Sequence, residues 1–393
     1  MDVLKDQRLP ALPKPEVARE LVASLPAASS QAIVLKGVRR CGKSILQAQL
    51  LRRTRTAFYC NLEDTRLFGL SPEDFPTMLA AIEELAPGGV PVFLDEVQEV
   101  PEWERLVRSL LDRGRMVCVT GSNASLLGRE VGARLTGRHL SFEVFPFNYK
   151  EYLAYTGLGA DEASLRGYLD DGGFPGYLRD RSPGILRELL RDIVERDIAM
   201  RHSLRETRHV MNLALFLLAN TGQPFSMQNL TRSLGIPGVA QTGRYLEYLQ
   251  DAYLLFSLPK FSPSFKQRVV APNKYYANDT GLRRVNSPQI APDHGHRLEN
   301  LVFLALRHRG TNVYYAGERN LWECDFVTDT EAIQVCAELT PYNRAREIEG
   351  AARACRLPGK RQALILTLNQ RDRLTELDTT VEVRPVWEWL LDR

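Results

Sequence analysis

Between residues 31 and 150, short apolar runs (QAIVLKG, TAFYCNL, VPVFLDE, MVCVTGS and HLSFEVF) alternate with amphipathic stretches. Strands buried on both faces read as near-continuous apolar runs, so the pattern predicts an α/β core over 1–150 with a parallel sheet covered by helices. From Phe147 to about Leu204 the texture turns helical, broken by the turn DGGFPGYL, and predicts a helical lid over 151–204. MNLALFLLANTG, QNLTRSLGI and AQTGRYLEYLQDAYLLFSL follow as three helical stretches punctuated by Gly or Pro, then the strand-like KYYAND. Three short helices with a β-hairpin predict a winged helix over 205–285. Beyond the Pro-rich linker candidate VNSPQIAPDHGH, an apolar helix beginning at Glu299 leads into NVYYAG, CDFVTD, AIQVCAEL and QALILTL. These predict a second, smaller α/β domain over 286–393.

Composition narrows the class without fixing the activity. A chain of 393 residues suggests two or three domains, and 44% hydrophobic with 25% charged residues allows each a buried core and excludes long disorder. The net charge of +3 gives little support for nucleic-acid binding in total, although local pairs such as Arg283 and Arg284 stand out. Six cysteines without a Cys-x-x-Cys pair read as reduced core residues. The amino terminus lacks an apolar leader and no stretch approaches a membrane span, so a cytoplasmic location with no membrane partner is the expectation.

The strongest chemical signal is GVRRCGKS, residues 37–44, between the strand-like AIVLK and the helical ILQAQLLRR. It fits G-x-x-x-x-G-K-[ST] with strand and helix on the required sides; the alternative is a chance match. In such a loop Gly37, Val38, Arg39, Arg40, Cys41, Gly42, Lys43, Ser44 and Ile45 surround the phosphates of ATP. Gly37 and Gly42 let backbone amides close in, Lys43 reaches the β- and γ-phosphates, and Ser44 ligates Mg²⁺. VFLDEVQEV then places Asp95 near the metal and Glu96 where it can polarise the attacking water. In VCVTGSNASLL the strand delivers Ser122 and Asn123 to its carboxyl end, either to meet the γ-phosphate or as part of a Gly-Ser turn. Arg134 and Arg138 precede the last sheet strand; each reads either as a surface arginine or as an arginine finger reaching a neighbouring subunit, which would require an oligomer.

GVRRCGKS, FLDEVQEV, TGSNASLL, LTGR followed by FPFNYKEYL, DGGFPGYL and ERDI together resemble the prokaryotic AAA+ ATPases in which the ATPase core is followed by a winged helix and a carboxyl-terminal domain of the PD-(D/E)xK nuclease fold. The resemblance covers nearly the whole chain. It departs at Gly176, after GGFP, where such proteins often carry an acidic residue.

In the presumed recognition helix, Gln241, Thr242 and Arg244 are expected at its exposed start, with Glu247 and Asp251 nearby, so DNA readout and a packing role remain open. In the wing, Lys260, Lys266, Arg268 and Lys274 interleave with Phe261, Phe265 and Tyr275, a mixture suited to phosphate contact and base stacking. A PD-(D/E)xK site needs two carboxylates for Mg²⁺ and a lysine that orients water. Asp325 and Glu299 fill two places, but the acid-x-Lys triplet reads Gln334-Val335-Cys336, and no lysine occurs between Lys274 and Lys360. On that ground a lysine migrated to a neighbouring strand is excluded across the core of this fold, while Glu338, on the same strand face as Gln334 and Cys336 by the two-residue period, is left to help Asp325 hold a weak ion. The expectation is an inactive nuclease fold.

The combined expectation is Mg²⁺-dependent ATP hydrolysis coupled to binding or remodelling of DNA, branched (Holliday-junction-like) or broken, by a homo-oligomer such as a hexamer. The alternative is a nucleotide-controlled switch acting on a protein partner in signalling or defence.

Overall fold

A computed structural model of the chain describes residues 2–7, 16–54, 56–121, 135, 137–287, 294–318 and 320–392. The chain divides into two compact units, residues 1–145 with 251–253, and 146–250 with 254–393.

The first unit is built on a five-stranded sheet of β1 (Ala32–Lys36), β2 (Phe58–Asn61), β3 (Val92–Asp95), β4 (Val117–Gly121) and β5 (His139–Glu143), in the order β2-β3-β4-β1-β5. Every pairing is parallel. Ala32, Val34, Val92, Leu94, Val117 and Val119 pack one face against the helices Phe75–Leu85 and Trp103–Asp112. In the latter helix Trp103, Leu106, Val107, Leu110 and Leu111 form a buried stripe at the 3–4 spacing of an amphipathic helix. On the other face lies helix Lys43–Leu51, whose buried Gln47 donates to the carbonyls of Leu94 and Cys118, both at 3.2 Å. Because both faces are covered, β1 to β4 need no alternation, and their apolar runs follow from that, whereas the edge strand β5 is half-buried to exposed. All carboxyl ends lie along one edge, where β1 pairs with β4 and β5 and the strand order reverses; open α/β sheets bind ligands there.

The second unit begins with helices Tyr149–Thr156, Glu162–Asp171, Pro175–Asp180 and Pro183–Asp192, the last continuing into a π-helical segment Ile193–Met200. Next come helix Arg208–Ala219, β6 (Pro224–Phe225), helices Met227–Ser233 and Val239–Asp251, β7 (Leu255–Leu258), a short helix Phe265–Val270 that carries Lys266 and Arg268, and β8 (Asn273–Ala277), with the strands ordered β6-β8-β7. Helix His294–His308 leads into a six-stranded sheet ordered β13-β14-β12-β11-β10-β9. Its strands are β9 (Tyr314–Glu318), β10 (Trp322–Val327), β11 (Glu331–Val335), β12 (Gln362–Thr367), β13 (Asp372–Glu376) and β14 (Thr379–Pro385). β11, β12 and β14 run parallel and the other pairings are antiparallel. Helix Arg344–Cys355 covers this sheet through Ile348, Ala351 and Ala352, and a Cβ at Gly350 would come within 2.2 Å of the Glu323 carbonyl, so this helix needs a glycine there.

The DGGFP turn is explained by a partner distant in sequence. Asp279, buried after β8, accepts the Gly173 N–H at 2.6 Å and caps the next helix through the Leu282 N–H at 2.7 Å. Gly172 has φ +70°, and a Cβ there would lie 2.2 Å from Asp279 Oδ1. A Cβ at Gly176, in contrast, would meet nothing within 4 Å, so close packing does not demand a glycine there.

Candidate functional site

The loop Gly37–Ser44 follows β1 and ends on the first turn of helix Lys43–Leu51. Gly42 adopts the left-handed region at φ 100°, and a Cβ on Gly37 would lie 2.0 Å from the Val144 carbonyl, so both glycines are required by geometry. Val38 and Cys41 are buried, Ser44 and Ile45 half-buried, Arg39 half-buried and Arg40 exposed with φ 63°. The Cys41 thiol donates to the Val144 carbonyl at 3.2 Å, and burial pushes its pKa up, which keeps it a neutral packing group. Lys43 is buried, with Nζ donating to the carbonyls of Gly37 and Val38, each at 3.0 Å. Its ammonium therefore lies within the loop at the positive end of the helix.

Asp95 ends β3 with its carboxylate fixed by two neutral donors, the Tyr59 hydroxyl at 3.0 Å to Oδ2 and the Thr120 hydroxyl to Oδ1. Thr120 Oγ1 also accepts the Glu96 N–H at 3.0 Å, so one side chain of β4 positions both acids. Burial, followed by Asp95, holds the Tyr59 hydroxyl far above the ordinary tyrosine range, and it remains a donor at neutral pH. Glu96 takes φ 52°, uncommon for a non-glycine residue, and its Oε2 accepts Gln98 Nε2 at 2.6 Å.

Sequence reasoning missed Thr120, Tyr59, Gln98 and Arg19. Arg19 is buried beside the loop and donates to the Cys41 carbonyl at 3.0 Å and the Phe145 carbonyl at 2.6 Å. Only Thr120 had a sequence signal, as the polar end of an apolar strand.

Arg138 is not brought to the loop of its own chain. Its carbonyl accepts the Ala32 N–H at 3.0 Å at the amino end of β1, whereas the loop leaves the carboxyl end, and its guanidinium pairs with Asp112 at 2.5 Å on the surface. Ser122, Asn123 and Arg134 lie outside the described residues.

Three expectations for the second unit are corrected. Thr242 does not face outward: it is fully buried, sharing a 2.8 Å hydrogen bond with Thr231, while Arg244 is exposed. Lys274 and Tyr275 are buried in β8 and cannot meet a phosphate or a base. The six strands of the larger sheet carry no lysine, as expected, but β8, outside that sheet, supplies one to the carboxylate cluster. Lys274 Nζ reaches Glu299 at 3.1 Å, Asp325 at 3.2 Å and Glu323 at 2.7 Å. Glu338 lies beyond the end of β11 and is exposed, so the strand period that placed it beside Gln334 does not extend to it. Gln334 instead donates to Glu347 at 2.6 Å and accepts the Asp325 N–H at 3.1 Å. The six cysteines are free, five of them buried. Among the described residues no helix is long and apolar enough to cross a membrane.

Residues 29–153 match the AAA domain, and residues 162–288 match a domain of unknown function, DUF8612. The uncharacterized protein MJ1544 of Methanocaldococcus jannaschii is 32% identical over 91% of this chain and 88% of its own. An uncharacterized protein of Haemophilus influenzae is 29% identical over 75% of this chain and 78% of its own. Among solved structures, the Aeropyrum pernix ORC1 protein in complex with DNA shares 12% identity over 65% of this chain and 86% of that one, with a TM-score of 0.32.

Proposed function

The chain belongs to the family of the Methanocaldococcus jannaschii protein MJ1544 and contains an AAA domain, and on that basis we propose that it is a cytoplasmic Mg²⁺-dependent ATPase whose hydrolysis is coupled to DNA. The observation that carries this reading is the arrangement at the carboxyl edge of the first sheet. Lys43 sits in a glycine-bounded loop at a helix amino terminus, and Asp95 and Glu96 are positioned through Thr120 on the strand between. Ser44 and Asp95 offer hard oxygen donors of the kind Mg²⁺ takes. When bound, the ion would neutralise phosphate charge. Lys43 then binds and orients the phosphates, the loop amides hold their oxygens, and Glu96 takes up a proton from the attacking water. Arg138, remote from its own loop, fits a finger acting across a subunit interface in a homo-oligomer, a hexamer included.

The order helix, short strand, helix, helix, strand over Arg208–Leu258, with β8 returning to pair antiparallel with β7 after the short helix Phe265–Val270, supports a winged helix, with Arg232 and Arg244 exposed. The helix His294–His308 followed by β9–β11, a crossover helix and β12 supports a nuclease-like fold, inactive because Gln334 and Cys336 replace acid and lysine. Branched or broken DNA is the proposed substrate. The second reading, a nucleotide-controlled switch for a protein partner in signalling or defence, gains from the burial of Lys274, Tyr275 and Thr242, which shrinks the nucleic-acid surface. ATPase rates with and without single-stranded, duplex and four-way-junction DNA at matched salt separate the two. Stimulation by DNA is expected; indifference to all three forms would favour the switch.

A further inference from the structure

The cluster around Lys274 is assembled from three elements of the second unit. Lys274 and Tyr276 lie two apart on β8 and so share one face, from which the ammonium and the phenol both donate to Glu299 Oε1, at 3.1 and 2.6 Å. Glu299 belongs to helix His294–His308, and the adjacent Asn300 exchanges two hydrogen bonds with the Ala277 backbone, at 2.8 and 3.0 Å, fixing that helix against β8. β10 supplies Glu323 and Asp325, and its register against β9 shifts between Cys324 and Val327. Bulges of this kind re-aim side chains. The second Asp325 oxygen accepts the Val335 N–H at 3.0 Å, which leaves Oδ1 for the ammonium.

Glu299, Asp325 and Lys274 are buried, while the Glu323 side chain is 52% exposed. Buried carboxylates need a cation or a proton. Burial and then Glu299 push the Asp325 carboxyl up; burial pulls the Lys274 ammonium down, but the negative charge of Glu299, Asp325 and Glu323 outweighs it and holds the ammonium above the ordinary lysine value. Oxygens of three carboxylates thus converge on one point, and the group at that point is positively charged, buried and part of the chain. Among the described residues no three acidic side chains are spaced to hold a metal as they stand. This is the spacing expected around an ammonium, whose oxygen partners lie at 2.7–3.2 Å, whereas Mg²⁺ takes oxygens at about 2.0–2.1 Å and Ca²⁺ at about 2.3–2.6 Å.

We propose that Glu299, Glu323 and Asp325 form a divalent-cation site whose occupant is the chain's own Lys274 ammonium, so that the site is closed to metal unless Lys274 is removed. The lysine acts as a built-in counter-ion that ties β8 to helix His294–His308 and β10. The carboxylates need shift by only about 1 Å to close on a small divalent ion. The inference is independent of the ATPase reading, since none of these residues belongs to the first unit.

The test is Mn²⁺ titration by calorimetry into the metal-stripped full chain without nucleotide, with thermal unfolding in parallel. The wild-type chain is expected to show neither binding at this site nor a shift in Tm. Lys274→Met should unfold at lower temperature without metal, bind one equivalent of Mn²⁺, and recover several degrees of Tm as Mn²⁺ is added. Lys274→Met combined with Glu299→Gln and Asp325→Asn should fold without metal and bind none. If Lys274→Met alone does not fold, its refolding on adding Mn²⁺ supports the proposal, and failure to refold while the triple variant folds overturns it. A folded Lys274→Met that ignores Mn²⁺ would overturn it, as would Mn²⁺ binding by the wild type that is lost in Asp325→Asn. Metal-dependent DNA cleavage by the wild type that disappears in Lys274→Met would make the lysine a catalytic group and overturn it as well.

Discussion

Thr120 donates its hydroxyl to Asp95 Oδ1 and with the same oxygen accepts the backbone N–H of Glu96 at 3.0 Å. A single neutral group thus orients the residue proposed to bind the metal and the residue proposed to polarise water, from the strand lying between β3 and β1. Thr120→Val keeps the shape and removes both bonds. Leaving such buried groups unpaired costs about 1–3 kcal/mol, and about 1.4 kcal/mol is tenfold in rate. Turnover should fall about tenfold to a hundredfold while ATP affinity changes little. Fluorescent-nucleotide titration beside a phosphate-release assay checks this. Thr120→Ser, which keeps the hydroxyl, should retain most activity, and equal losses in both variants would contradict the positioning role.

Arg138 and the phosphate loop lie at opposite ends of β1, with Arg138 paired to Asp112. Arg138→Ala should therefore keep nucleotide affinity and lose hydrolysis, and mixing it with Lys43→Ala chains should restore part of the activity. Restoration requires a site shared between two chains. An Arg138→Ala chain of normal activity would return this residue to a surface ion pair, worth little in exposed positions.

Asp279 gives a pH dependence of stability. Burial raises its pKa from the ordinary aspartate value to about 6, although the N–H groups of Gly173, Leu282 and Gly281 oppose the shift. With the folded value above the unfolded one, the folded state holds the extra proton between about pH 4 and 6. Stability from this group is complete below that window and is lost as pH rises through 6, on the order of 3 kcal/mol in all. Tm measured from pH 4 to 7 should show this component in the wild type and lack it in Asp279→Asn. An unchanged slope in Asp279→Asn would contradict the assignment.

How much could be read beforehand depended on whether an interaction is local. The glycines, Lys43 and Ser44 lie in one loop and Asp95-Glu96 follow one strand, so spacing alone reveals them. The parallel sheet was legible because β1, β3 and β4 are buried on both faces and cannot carry polar alternation. Lys274 failed that reading for the opposite reason: its partners Glu299 and Asp325 lie 25 and 51 residues away, and in sequence it resembled the exposed wing lysines. The informative signal was that Lys274 shares a face with Tyr276 in a strand that otherwise reads as buried. Thr242 was misjudged because a polar residue at a helix start looks like a contact residue, and only tertiary packing shows that Thr231 takes its hydroxyl. Arg19 had no signal, since its partners are backbone carbonyls.

We propose that this chain binds ATP through Lys43 and hydrolyses it through Glu96. The direct measurement is Mg²⁺-dependent retention of γ-labelled ATP on purified Glu96→Gln, followed by chromatography of the bound nucleotide, with Lys43→Ala and wild type in parallel. The expected result is intact ATP on Glu96→Gln, ADP and released phosphate from wild type, and no retained nucleotide on Lys43→Ala. Conversion of bound ATP by Glu96→Gln at the wild-type rate, or tight ATP binding by Lys43→Ala, would contradict it.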